Sequence, residues 1–324
     1  MSAESTSLTG SRSGPASPPK AITATPVRHY GRWAAALVVL VAAGGTLWSI
    51  GKNPNIDWPT VGDYLFKSLV FRGLWVTLWL TVAAMVIGVA GGTILAIMRL
   101  SRNVVLSSTA AVFVWLFRGT PLIVQLIFWG NLGALYPRIM LGVPFTHITV
   151  FSTPTSSLIG ASAAALLALG LNEIAYASEI VRAGLLSVDR GQTEAAHSLG
   201  MSPALTMRRI VLPQAMRVIV PPMGNETITM LKSTALVSVI AGHDLLTNLT
   251  DVYSQNYKVI PLLVVGSIWY LALTSLLSVP QSWLERRYGR GQSGRPEPGP
   301  FQRLLGVGAL VRGNGSRSNR EGAA

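Results

Sequence analysis

The chain has 324 residues, no cysteine, 50% hydrophobic residues, only 12% charged residues and a net charge of +13. A soluble domain carries about 25% charged residues, so this composition leaves a watery surface uncovered and points to a bilayer instead. The missing cysteines exclude disulfides, thiolate metal sites and cysteine nucleophiles. The basic residues lie in the tails and short loops, which argues against nucleic acid and for the membrane surface.

Residues 1–30 are rich in Ser, Thr, Pro and Gly and predict a disordered tail. The run 33–50 carries no charge over a length that just spans a bilayer, and no A-x-A cleavage pattern follows it, so it predicts a retained helix. Further spans are predicted at 73–98, at 106–135 (interrupted by Arg118, Gly119 and Pro121), at 158–181, at 218–240 and at 260–283. Residues 289–324, rich in Gly, Arg and Pro, predict a second solvated tail. With the N-terminus in the cytoplasm, nineteen of the 26 basic residues fall on the cytoplasmic side and five outside, with Arg118 and Lys232 at membrane depth. That asymmetry favours six spans with both termini cytoplasmic.

Between the fourth and fifth spans lies a cytoplasmic segment, about 182–217. Asp189 or Ser187 can cap a first short helix running to Leu199, and Gly200 suits a left-handed C-terminal cap. Ser202 and Pro203 form an N-cap and first-turn pair for a second helix that Pro213 limits. Two short helices bent at Gly200 are therefore expected.

The spacing Glu194-Ala195-Ala196, Gly200, then Ile210-Val211-Leu212-Pro213 resembles the EAA loop of bacterial ABC importer permeases. Phe117 to Gln125, Ala175 to Gly184, Leu212 to Ala215, Pro221 to Asn225 and Leu231 to Ile240 are similar to segments of the polar amino acid branch. Departures fall at Glu173, Ile174, Glu226 and Ser233. The resemblance covers about residues 65–290. It implies an all-α integral membrane protein with a type I importer core of five transmembrane helices (65–288), preceded here by one extra N-terminal helix. It also implies ATPase subunits docked on the 187–213 loop, an extracytoplasmic solute-binding protein, a second permease copy or sister permease, a polar amino acid as solute, and alternating access as the mechanism. No G-x-x-x-x-G-K-[ST] loop occurs in the chain. ATP and Mg are accordingly expected in a partner chain, with no cofactor in this one.

Polar residues inside a bilayer are costly and usually face protein or water. Asn172, Glu173, Tyr176 and Glu179 share one side of the fourth span; Asn225, Glu226, Thr229, Lys232 and Ser233 share one side of the fifth; Arg118 and Gln125, seven apart, share a face of the third. Two readings stand side by side: these stripes line a solute path, or they pair with one another as structural hydrogen bonds. Pro221-Pro222 predicts a bend or a delayed helix start, and Gly88-x-x-x-Gly92 predicts close helix contact. The histidines suit no metal site and no Ser-His-Asp set can be assembled, so no catalytic residue is expected. The rival from another class is an ion- or proton-coupled secondary carrier with Glu173 and Glu226 as proton sites.

Overall fold

The computed structural model describes residues 30–142 and 149–288; both predicted tails lie outside them. The chain divides into two units, residues 1–56 and 57–324. The first contains α1 (Tyr30–Gly51), apolar and without charge after Arg32, with its described side chains exposed from Trp33 onward, apart from a half-buried Ala36.

The second unit begins with α2 (Trp58–Leu65), capped by Asp57, whose carboxylate accepts from Thr60 N at 3.1 Å. There follow α3 (Ser68–Arg99), α4 (Val104–Gly119), α5 (Leu122–Gly130) and α6 (Leu132–Leu135). Strands β1 (Arg138–Gly142) and β2 (Thr149–Pro154) pair antiparallel, with a register shift at Leu141/Gly142. Then come α7 (Thr155–Leu158), α8 (Ala161–Leu186), α9 (Arg190–Ser198), α10 (Pro203–Thr206), a π turn Met207–Val211, α11 (Leu212–Ser233), a 3-10 stretch Thr234–Ile240, α12 (Leu245–Asn256) and α13 (Val259–Tyr288).

Three expectations change. The fold is mostly helical but not all-α, because Arg138–Gly142 and Thr149–Pro154 pair as the small β1–β2 ribbon. The third span is two helices, α4 and α5, bent by 99°. Pro121 causes the break: it drives Thr120 into extended backbone (φ −109°, ψ 140°), so α4 stops at Gly119. Pro213 does not end the second of the two short helices bent at Gly200. The π turn Met207–Val211 precedes it and Pro213 occupies the first turn of α11, where a missing N–H costs little. One helical run therefore extends from Pro203 to Ile240, and Pro221 and Pro222 lie inside it.

Among the described residues four helices are long and apolar enough to cross a bilayer: α1 over Trp33–Gly51, α3, α8 and α13. The bent α4–α5 pair makes a fifth if counted as one span. The predicted span 218–240 is not in that set, because Asn225, Glu226, Thr229 and Lys232 dilute its apolar content.

The core is organised around α3 and α8. Gly88 and Gly92 let the two helices approach closely: a Cβ on Gly88 would run into Glu173 Cγ, and one on Gly92 would fall 2.7 Å from Ala177 Cβ. Leu80, Ala84, Leu126, Ala168, Leu169 and Met230 fill the space where these helices meet α5 and α11. A second cluster, including Val70, Leu74, Leu245, Leu249 and Leu262, joins α3 to α12 and α13. The segment after 240, for which no helix is predicted, thus folds back as α12. Asp244 caps it, accepting from Leu246 N at 3.0 Å and Thr247 N at 3.2 Å, and Leu245 N donates to Thr77 Oγ1 at 3.1 Å. The signal was present as an Asp cap ahead of Leu245, Leu246 and Leu249.

Candidate functional site: a bent element and three polar faces

In the bent element, α9 starts on Asp189, whose carboxylate accepts from Gly191 N at 2.6 Å. It ends in a paired closure: Gly200 N donates to His197 O at 2.9 Å and Met201 N to Ala196 O at 3.1 Å. That is the Schellman arrangement, and it requires the left-handed conformation Gly200 adopts, φ 77°. Ser202 then caps α10. Glu194 and Ala195 are exposed while Ala196 is buried, so α9 is anchored by one alanine and presents the other. Leu199 is 83% exposed, and Leu205, Met207 and Leu212 are also exposed. Ile210 is half-buried and Pro213 exposed. The exposed surface of the element thus mixes Glu194 with apolar side chains and with Arg190, Arg208 and Arg209.

The three polar faces meet different fates. At the α4–α5 break the last carbonyls of α4 lose their helical donors. Gln125 and Asn172 replace them: Gln125 Nε2 donates to Phe117 O at 2.9 Å and Thr120 Oγ1 at 2.9 Å, and Asn172 Nδ2 donates to Phe117 O at 3.0 Å. Both side chains are buried. Irregular backbone at membrane depth is tolerated only with such replacement donors. Glu173 is 1% exposed, lies against Gly88, and its Oε1 has no hydrogen-bond partner among the described residues. Glu179 pairs with Arg182 at 2.7 Å and Arg99 at 3.3 Å, tying the basic ends of α3 and α8 together. Arg118, exposed, places its guanidinium carbon 5.0 Å from the Tyr176 ring centroid, so α4 and α8 also meet there.

On α11 the stripe stays open. Asn225, Thr229 and Lys232 are exposed on one narrow face, with Glu226 and Ser233 half-buried beside it. The Thr229 and Ser233 hydroxyls donate to carbonyls of their own helix, and Lys232 has no ion-pair partner among the described residues. The structure therefore brings Gln125 to Asn172, Arg118 to Tyr176, and Glu179 to two arginines, and leaves Asn225, Thr229 and Lys232 exposed on α11.

One tie escaped the sequence reading. Gln281 on α13 is buried, and its Nε2 donates to Pro221 O at 2.8 Å. Gly224 makes room for it, since a Cβ there would collide with Gln281 Oε1. A polar residue just after Pro280 in an apolar run was the available sign.

Comparison with known proteins gives this geometry a family. Residues 88–290 match the family described as "Binding-protein-dependent transport system inner membrane component". The chain is 43% identical over 276 residues to the arginine transport system permease protein ArgU of Corynebacterium glutamicum, covering 85% of each chain. It is 33% identical to the L-cystine transport system permease protein TcyB of Bacillus subtilis, over 72% of this chain and 92% of that one. It is 32% identical to the glutamate/aspartate import permease protein GltK of Escherichia coli, over 72% of this chain and 98% of that one. Among solved structures, an amino acid ABC transporter is similar with a TM-score of 0.57 and 37% identity, over 68% of this chain and 94% of that one. The MetNI methionine ABC transporter, at 19% identity and a TM-score of 0.51, shares the fold over 68% of this chain and 96% of that one. With a matching helical core and this coverage, the chain belongs to the family of binding-protein-dependent transport system inner membrane components.

Proposed function

We propose that this chain is the permease of an ATP-driven importer of polar amino acids. It would act with separate ATPase subunits that hold ATP and Mg, a second permease copy or sister permease, and an extracytoplasmic solute-binding protein. The observation that carries this reading is the bent element at Gly200, with Glu194, Ala195 and Leu199 exposed.

The mechanism follows from helical continuity. A closing ATPase that grips α9 moves α10, and α10 runs without a break through the π turn into α11. Displacement at Glu194 is thereby delivered to the face bearing Asn225, Thr229 and Lys232. That face needs a counterpart, and a second permease supplies one, enclosing a polar path between the two α11 helices. An amino acid zwitterion needs cationic and anionic partners, and Lys232 with Glu226 offers both. Glu226, half-buried beside the open face, favours a cationic solute, in line with the arginine named for the 43% identical relative. Nothing in the comparisons supports the secondary-carrier alternative.

The test is reconstitution of the permease with its ATPase and binding protein in liposomes. ATP-dependent uptake is expected, inhibited by arginine more strongly than by glutamate. Ala195→Trp and Glu194→Lys, both at exposed positions, should weaken ATPase capture by at least about tenfold, as loss of an interface hot spot does. Uptake driven by an ion gradient without the ATPase would overturn the reading. Stronger inhibition by glutamate would overturn only the choice of a cationic solute.

A further inference from the structure

A crevice of about 520 Å³ lies between the basic-end halves of α3, α8, α11 and α13, separate from all three polar faces. Val89, Ile97, Leu185, Met216, Met223 and Leu284 are among its walls. Its two hydroxyl side chains are turned to their own helices: Thr93 Oγ1 donates to Val89 O at 2.7 Å and Thr227 Oγ1 to Met223 O at 3.1 Å. The walls therefore offer no free hydrogen-bonding side chain, which suits neither ordered water nor a polar solute.

Depth and charge identify the occupant. From Val89 to Arg99 the rise of α3 is about 15 Å, one leaflet of a hydrocarbon core about 30 Å thick. The end of the crevice is the end where the arginines are. Arg208 and Arg209 follow Met207, and Arg286 stands two residues beyond Leu284; Met207 and Leu284 both line the crevice. These three arginines are exposed, and no carboxylate among the described residues pairs with them. A length of helix about 10 Å across and about 12 Å long displaces roughly 900 Å³, well above the crevice, whereas a single hydrocarbon chain is slender enough. Basic residues at the cytoplasmic surface attract anionic headgroups.

We propose that the crevice is a lipid site. It takes one acyl chain of an anionic phospholipid from the cytoplasmic leaflet, with the phosphate held by Arg208, Arg209 and Arg286. Because Met207, Met216 and Met223 of the π turn and α11 form much of one wall, the bound chain braces the helix that carries the open polar face.

The chain has no cysteine, so a single introduced cysteine labels one place. Full-length Thr93→Cys, with a fluorophore in the crevice, is compared with Ile94→Cys, at the same depth on the exposed face. Both are reconstituted in phosphatidylcholine vesicles containing acyl-chain-brominated phosphatidylglycerol or brominated phosphatidylcholine. Quenching at position 93 is expected to saturate at low phosphatidylglycerol content, with preference over phosphatidylcholine falling roughly fivefold for each arginine changed to glutamine. Position 94 should quench in proportion to bulk lipid with no headgroup preference. Equal quenching of position 93 by both lipids overturns the proposal. So does absence of quenching there together with cross-linking between copies of the unlabelled Thr93→Cys protein, which would mean that protein fills the crevice. None of these readouts uses transport, so they stand apart from the fate of the importer reading.

Discussion

The polar faces of α8 and α11 look alike as periodic patterns, yet one is closed and the other open. On α8, Asn172 and Glu173 are buried beneath α3 and beside the α4–α5 break, and Asn172 donates to a backbone carbonyl there. On α11, Asn225, Thr229 and Lys232 are exposed. The difference comes from neighbours. Glycines at 88 and 92 bring α3 onto α8, whereas no helix among the described residues covers the α11 stripe. A polar stripe in a membrane helix thus serves either to repair broken backbone or to face something outside the chain, and its own residues do not say which.

The contrast breaks most violently at the glycines. Gly92→Leu would drive side-chain atoms into Ala177 Cβ and Ser178 N, 2.7 and 2.9 Å from an added Cβ. A loss of about 3 kcal/mol or more is expected, read as a fall in the unfolding midpoint in mixed detergent; an unchanged midpoint would mean that α3 and α8 are not in close contact. Next, Asn172→Leu or Gln125→Leu strips a donor from Phe117 O and should cost about 1–3 kcal/mol, while solute KM in the surviving protein stays near wild type. Lys232→Gln and Asn225→Ala should do the reverse, shifting stability by less than about 0.5 kcal/mol and lowering uptake. If Lys232→Gln destabilises the chain as Asn172→Leu does, the contrast between the two faces is lost.

A smaller effect tests the bend. Gly200→Ala meets no atom within 4 Å, so its cost is backbone strain alone, about 1–2 kcal/mol for a left-handed alanine. It should loosen α9 and weaken ATPase capture without altering helix content by circular dichroism. The smallest effect concerns an exposed ion pair, in which Lys258 Nζ lies 2.8 Å from Asp57 Oδ2. Hydrogen bonds from Lys258 and then Thr60 hold the Asp57 carboxyl at about 2, below its ordinary 3.8. A depressed carboxyl stabilises fully above its unfolded value, and that contribution fades as pH falls from about 3.8 toward about 2. Lys258 is raised by the Asp57 hydrogen bond, so its share is present below its ordinary 10.5 and lost as pH rises through the elevated value. The pair is exposed and salt-screened. Asp57→Asn should therefore flatten the acid limb of the stability curve only slightly, and wild-type and variant curves that superimpose at acid pH would show no coupling.

Much of the bent element at Gly200 was legible because its determinants are local. Asp189, Gly200, Ser202 and Pro203 act on their own turns, and each adopts the role its residue type suits. The break at Gly119–Pro121 was legible for the same reason. Its 99° angle was not, since the direction of a break depends on what the two halves rest against. Pro213 misled because a proline stops a helix only when its missing donor is needed, and a π turn just before it changes that condition.

By itself, then, the amino-acid order determined the apolar segments, the caps, the EAA-type spacing and which polar residues share a helix face, all properties of 3.6-residue periodicity and turn chemistry. Only the tertiary structure decided that Gln125 and Asn172 serve the backbone, that Glu173 is sealed against Gly88, that α12 folds back onto α3, and that the α11 stripe is left open. The reason is physical: a helix wheel specifies directions around one axis, whereas burial and hydrogen bonding depend on which other helix lies in that direction and how closely small residues let it approach.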